Sequence, residues 1–168
     1  SSDVCSSDLE PFGGRNTNAS KEVVTLLSDY KIKELPVSWD KVPFLLDEIL
    51  NDNPDYLFLI GEAGSYKEIT IEKVAHNIAH GVDIFGLNKE NEEIILNGKE
   101  TLSTSFDLNI LPYLISHDAG KYLCNYSYYL ALYKSKLTKV LFVHLPYVNN
   151  NLNVLKEQLL DIIKTLSK

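Results

Sequence analysis

The chain has 168 residues, 16 basic against 23 acidic for a net charge of −7, and 45% of it is apolar; this describes one globular core and excludes a disordered chain or a pair of ordinary domains. Its cations are not clustered, so neither a nucleic-acid nor an anionic-membrane surface is expected, since both need grouped Lys and Arg. Small molecules or peptides are the expected partners, and the longest apolar stretches, 56–60 and 140–143, fall far short of the roughly 20 residues of a membrane helix.

In chain order, the opening repeats Ser-Ser-Asp at Ser1 and Ser6 around Val4-Cys5, without the basic start and apolar centre of a signal peptide. Residues 1–9 read as the translation of a sequencing adapter rather than native protein, and the lack of any Met fits a fragment; the expected single domain is 10–168. Cys124 is then the one native cysteine, which excludes an intramolecular disulfide and points to a reducing, cytoplasmic compartment. Pro11-Phe12-Gly13-Gly14 is a turn, because paired glycines permit positive φ. Asn18-Ala19-Ser20 caps a helix to about Ser28, with Val23, Val24 and Leu27 as its stripe. A strand over 32–37 and a helix over 39–51 follow, the helix carrying Val42, Leu45, Leu46 and Ile49 on one face. Asn53-Pro54-Asp55 breaks it before the continuous apolar strand 56–60, which ends at Gly61 as expected of a strand covered on both faces.

Residues 69–78 predict a further strand, 81–100 a long polar loop, and 108–115 another apolar stretch leading into Ser116-His117-Asp118-Ala119-Gly120. A helix over 121–134, a buried strand over 140–143 stopped at Leu145-Pro146, and an amphipathic helix over 152–166 complete the chain. Strands alternating with helices predict an α/β class, an open, mostly parallel twisted sheet with helices on both faces in an α/β/α sandwich, and functional residues at the carboxyl ends of strands.

Cys124 falls in the first turn of the helix after Gly120, where the macrodipole and unpaired amides favour a thiolate; a structural cysteine is the competing assignment. His144 follows a buried strand run and reaches the crevice end of the sheet, where it is either a base or a boundary residue. His117, in a turn seven positions before Cys124, is the second choice of base. His76 and His80 share a helix spacing but have no third ligand between them, which leaves a metal site little support. An acid orienting the imidazole would complete a nucleophile arrangement, and spacing does not choose among Glu72, Asp83 and Asp118. Gly13-Gly14 lacks the Gly-Lys-Ser/Thr of a phosphate loop. Tyr126, Tyr128, Tyr129 and Tyr133 fit packing faces of the helix rather than ligand stacking.

Four blocks then carry a resemblance. Glu10-Pro11-Phe12-Gly13-Gly14 with Asn18-Ala19-Ser20, Ile71-Glu72-Lys73-Val74-Ala75-His76-Asn77, Asp118-Ala119-Gly120-Lys121-Tyr122-Leu123-Cys124-Asn125 and Phe142-Val143-His144-Leu145-Pro146 resemble, in order, the pyroglutamyl-peptidase I family of pyrrolidone-carboxylate cysteine peptidases. With Leu35-Pro36-Val37 and the strand ending at Gly61, the likeness spans nearly everything after residue 9, and the second and third blocks look closer to the animal branch. The resemblance implies a cytoplasmic cysteine exopeptidase, an omega peptidase, that removes N-terminal pyroglutamate from peptides without metal or cofactor. It places Cys124 on the nucleophile, His144 on the general base and Glu72 on the acid that orients it, with Phe12 against the pyrrolidone ring and Asn18 in the same pocket. An inactive homologue that binds pyroglutamyl peptides without turnover, and another α/β cysteine amidase, are the alternatives.

The departures are specific. The family's first strand is expected to be missing, with residues 1–9 in its place and Leu9 where a pocket Phe stands. Glu62 replaces the usual Gln and Ser65 a Gly, and 108–115 stands where a helix plus a strand are expected. Losing a strand and a covering helix exposes apolar surface that a domain of about 5–15 kcal/mol stability can hardly spare.

Overall fold

The computed structural model describes the backbone of residues 2–6, and residues 18–147 and 151–168. In chain order its elements are β1 (Ser2–Ser6), α1 (Ala19–Thr25), β2 (Lys31–Glu34), α2 (Lys41–Asn51), β3 (Tyr56–Glu62), β4 (Thr70–Glu72), β5 (Val74–His76), β6 (Ala79–Val82), β7 (Asn88–Glu92), β8 (Thr101–Ser103), a 3₁₀ turn at Leu108–Ile110, β9 (Leu114–Ser116), α3 (Leu123–Lys134), β10 (Lys139–Leu145) and α4 (Leu152–Leu166). Six strands form the main sheet in the order β2-β1-β3-β10-β4-β9. Every pairing in it is parallel except β10 with β4. The α/β architecture with a mostly parallel sheet is the one expected from the alternation of apolar strands and amphipathic helices.

Alternation along β3 and β10 divides the core. Phe58, Ile60, Leu141 and Val143 face α1 and α4, where Val23, Val24, Leu159, Ile162 and Ile163 are buried. Leu57, Leu59, Val140 and Phe142 face α2 and α3, against Val42, Leu46, Leu123 and Tyr129. Successive side chains of a strand point to opposite faces, so a strand buried on both sides must be apolar at every position. At about 1.5–3 kcal/mol for each fully buried Leu or Ile, the stripe of α4 is a major anchor of its layer. Asn151 caps that helix by accepting from the Val154 amide, and Asn53 terminates α2 in the left-handed region at φ 49°, its amide donating to the Leu50 carbonyl.

Several expectations change. Residues 2–6, left outside the fold by the sequence, pair as β1 between β2 and β3, Val4 opposite Ile32 and Phe58. The strand slot expected to be missing is therefore filled by this chain; a ladder is made of backbone groups, and both flanking strands leave rows of N–H and C=O that need partners. The strand expected over 69–78 is two strands. It turns at Lys73, whose amide donates to the Ser116 carbonyl and whose carbonyl accepts from Thr104, so that β4 stays in the main sheet while β5 pairs with β8. Within 81–100, read as loop, β7 pairs with β6 as an antiparallel hairpin. In 108–115 the 3₁₀ turn leads directly into β9, and Leu108 and Leu111 join the α1/α4 core.

Candidate active site

At the junction of β3, β10 and β4 the sheet changes from parallel to antiparallel, and register sets the site there. His144 pairs with Gly61 on one side and Thr70 on the other, while Phe142 pairs with Glu72. Paired residues, and residues two apart on one strand, share a face. Gly61, His144, Phe142 and Glu72 therefore all point to the side covered by α3.

Glu72 is fully buried and His144 is nearly so. His144 Nδ1 lies 2.8 Å from Glu72 Oε1, and because a carboxylate can only accept, Nδ1 carries the proton and Nε2 is the second, basic nitrogen of the ring. The Phe142 ring, 4.6 Å from the imidazole between centroids, packs against it. Glu72 is held from further directions as well. Its backbone carbonyl accepts from the Tyr128 hydroxyl at 2.8 Å, and the Tyr66 hydroxyl donates to the same Oε1 at 2.8 Å. Among the described residues Oε2 is buried without a hydrogen-bond partner.

Cys124 is the second residue of α3, whose N-cap is Tyr122. Gly120, in the left-handed region at φ 84°, turns the chain into this helix. Asn125, fully buried, fastens the first turn to β5: its Oδ1 accepts from the His76 amide at 2.9 Å, and its Nδ2 donates to the carbonyls of His76 at 2.8 Å and Ile78 at 3.0 Å. The sulfur sits over Gly61, where an added Cβ would stand 3.0 Å from Sγ and 2.7 Å from Phe142 Cζ. That glycine is required by close approach and not by its dihedral angles.

Cys124 and His144 line one cavity of about 530 Å³ with Glu62, Tyr66, Asp118 and Tyr122. Burial, reinforced by the hydrogen bond and charge of Glu72, pushes the Tyr66 phenol up to about 12. Burial likewise raises Tyr122, with the charges of Asp83 and Cys124 adding to it. A thiol, an imidazole bonded to a buried carboxylate, and a helix N-terminus thus come together beside one cavity, a set of groups suited to acyl transfer.

The other candidates fall elsewhere. His117 is exposed and lines a neighbouring cavity; its carbonyl lies 2.8 Å from His76 Nε2. His76 and His80 stand on different strands, β5 and β6, and no cluster of three metal-ligating side chains occurs among the described residues. Asp83 accepts from the amides of Trp39, Phe85 and Leu87, so it organises a loop. Asp118 lines the cavity rim and accepts from the Gly120 amide. Three of the four tyrosines of α3 are buried with hydroxyls donating to the carbonyls of Trp39, Glu72 and Lys99, and Tyr133 is exposed. Asn18 caps α1 by accepting from Ser20, and the next amide, Ala19, donates to Glu62 Oε2 at 2.6 Å. Phe12, Gly13, Gly14 and Leu9 lie outside the described residues. Sequence reasoning missed Tyr66: a tyrosine in a turn carries no periodic signal, and its contact with Glu72 exists only once β4 is in place.

Comparison with known proteins places the sequence and the fold. The sequence profile of the pyroglutamyl peptidase family matches residues 3–160. Pyrrolidone-carboxylate peptidases of Fusobacterium nucleatum and Thermosipho africanus are each 33% identical to this chain, the matches covering 83% and 94% of it and 76% and 90% of those proteins. The crystal structure of a pyrrolidone carboxyl peptidase from Fervidobacterium islandicum superposes with a TM-score of 0.86 at 28% identity, covering 99% of both chains. That of Thermococcus litoralis, at 22% identity, shares the fold with a TM-score of 0.87 over 99% of this chain and 93% of its own. With its profile matched over nearly its whole length, the chain belongs to the pyroglutamyl peptidase family.

Proposed function

We propose that this chain is a cysteine exopeptidase that removes N-terminal pyroglutamate from peptides, with Cys124 as nucleophile, His144 as general base and Glu72 as the acid that orients it. The observation that carries the assignment is the buried 2.8 Å contact of His144 Nδ1 with Glu72, beside the shared cavity of His144 and Cys124. His144 Nε2 takes the Cys124 proton as Sγ attacks the pyroglutamyl carbonyl, and Glu72 stabilises the imidazolium. First-turn amides of α3 serve the developing oxyanion. The C–N bond breaks as His144 protonates the leaving amine; a water deprotonated by His144 then cleaves the thioester, releasing pyroglutamate and restoring the thiol.

A lactam offers one N–H, one C=O and a flat apolar ring, which an aromatic wall and a few polar partners select. Phe12 supplies the wall in this proposal. Asn18 acts indirectly, by shaping the α1 turn whose Ala19 amide holds the cavity residue Glu62. The leaving peptide exits along the adjoining cavity, about 610 Å³, which shares Asp118, Gly120 and Lys121 with the first. A cytoplasmic setting fits a working thiol, and among the described residues no helix is long and apolar enough to cross a membrane. The blocks around Glu72 and Cys124 favour the animal branch of the family.

Hydrolysis of a fluorogenic pyroglutamyl amide tests this reading, with Cys124→Ala alongside. Cleavage lost in the variant is expected. Faster cleavage of amides with unblocked N-terminal residues would point to a different amidase, and pyroglutamyl-peptide binding without product to an inactive homologue.

A further inference from the structure

The geometry points to Tyr66 as a positioning residue of the active site, whose hydroxyl locks the Glu72 carboxylate in the rotamer that holds His144. Three observations carry this. The phenol and the imidazole converge on one oxygen, each 2.8 Å from Glu72 Oε1, while Oε2 has no hydrogen-bond partner among the described residues. A buried carboxylate resting on the imidazole alone would keep freedom to rotate about its terminal torsion, which is broad for an sp³–sp² bond. The second donor on the same oxygen removes that freedom and supplies part of the solvation that burial has taken away.

Tyr66 is itself held in place. Its hydroxyl lies 3.1 Å from Ser116 Oγ and 3.3 Å from the Asp118 carbonyl, and its ring centroid is 5.5 Å from that of His144. Ser116 pairs with Glu72 across β9 and β4, so the support comes from the strand adjoining the acid. With the phenol proton on Glu72, Ser116 Oγ can donate to the Tyr66 oxygen, and it also accepts from the Asp118 amide at 3.1 Å, which ties Tyr66 to the segment leading to Cys124. Because the phenol stays protonated up to about 12, it remains a donor at every pH at which a peptidase works. Tyr66 touches neither the sulfur nor the reacting carbonyl in this scheme; it acts through Glu72.

The kinetic arm of the test rests on the peptidase reading, whereas the chemical arm does not. In a Cys5→Ser background, the rate of Cys124 alkylation by iodoacetamide at pH 7 reports thiolate activation without any substrate. Tyr66→Phe keeps the half-buried ring and deletes the hydroxyl, so the fold is retained. It is expected to slow alkylation and lower kcat on a pyroglutamyl amide, each by roughly tenfold, the size of one hydrogen bond to a charged group. KM should stay within about twofold, because the Tyr66 ring that lines the cavity is kept and only its hydroxyl, turned to Glu72, is removed. In a Glu72→Leu background the same substitution should change the alkylation rate by less than about twofold, since residues acting as a unit are not additive. An alkylation rate within twofold of the parent, or an equal loss with Glu72 already replaced, would overturn the assignment. Slowed alkylation in a protein that cleaves no pyroglutamyl amide would uphold Tyr66 and reject the peptidase reading instead.

Discussion

On the face of the sheet covered by α1 and α4, the buried side chains among the described residues are apolar from Val23 to Leu166, with polar burial confined to the cap at Asn18 and Ser20. The face under α2 and α3 buries Thr70, Glu72, Asn125, Ser127 and His144 alongside its Leu, Trp and Phe residues. Both faces share the same strands, so the difference lies in which residue of each alternating pair turns to which side. One layer is built for cohesion, and the other gives up cohesion to hold an acid and an imidazole in a dry place. Buried polar groups on the second face need partners, and the network from Asn125 to His76 and from Tyr66 and Tyr128 to Glu72 supplies most of them, leaving Glu72 Oε2 without a hydrogen-bond partner among the described residues.

The largest separation of the two faces is expected from Leu159→Ala on α4. This residue is fully buried against the apolar layer, and its truncation should cost about 2–5 kcal/mol in urea unfolding while kcat per folded molecule is unchanged. A fall in kcat with stability intact would mean that the layers are not separable. Asn125→Ala should give a smaller loss of stability, about 1–3 kcal/mol, because its partners at His76 and Ile78 are left unpaired. Unlike the Leu159 change it should also lower kcat, since it frees the helix turn that carries Cys124. A stability loss with full activity would show that the first turn of α3 is held by other contacts.

Alkaline pH offers the mildest discrimination. Tyr66, Tyr113 and Tyr126 are each raised from 10.0 to about 12, in every case chiefly by burial. A phenol whose folded value lies above its unfolded one contributes stability that is complete below pH 10 and is lost as pH climbs through about 12. Tm should therefore hold up to about pH 10 and fall over the next two units. Tyr126→Phe should make that fall shallower by removing one of the α2/α3-side phenols. A Tm as high at pH 12 as at pH 9 would contradict the burial described.

One face is easier to read in the sequence than the other, for physical reasons. Helix α4 was legible because Leu155, Leu159, Ile162 and Ile163 repeat at helical spacing and nothing competes with that stripe. Strands β3 and β10 were legible because a short, unbroken apolar run between turn residues is the pattern of a strand buried on both sides. The break at Lys73 was not: residues 69–78 look alike on paper, and only the change of partner from β10 to β8 separates β4 from β5. Strand β7, Asn-Lys-Glu-Asn-Glu, has no apolar face and owes its conformation to backbone pairing with β6. At the site, Cys124, His144 and Glu72 stood out through the ordered blocks around them, while spacing left Glu72 level with Asp83 and Asp118. Their distinction comes from the antiparallel register that sets Glu72 opposite Phe142, beside His144.

Covalent capture of the nucleophile tests the central claim most directly. The protein is treated with a pyroglutamyl chloromethyl ketone and its peptides are weighed, alongside His144→Ala and a reaction protected by a pyroglutamyl peptide. The account predicts one adduct, on Cys124, formed slowly in the variant and suppressed by the peptide. An adduct on Cys5, or one on Cys124 that forms equally fast without His144 and is unprotected by the peptide, would contradict it.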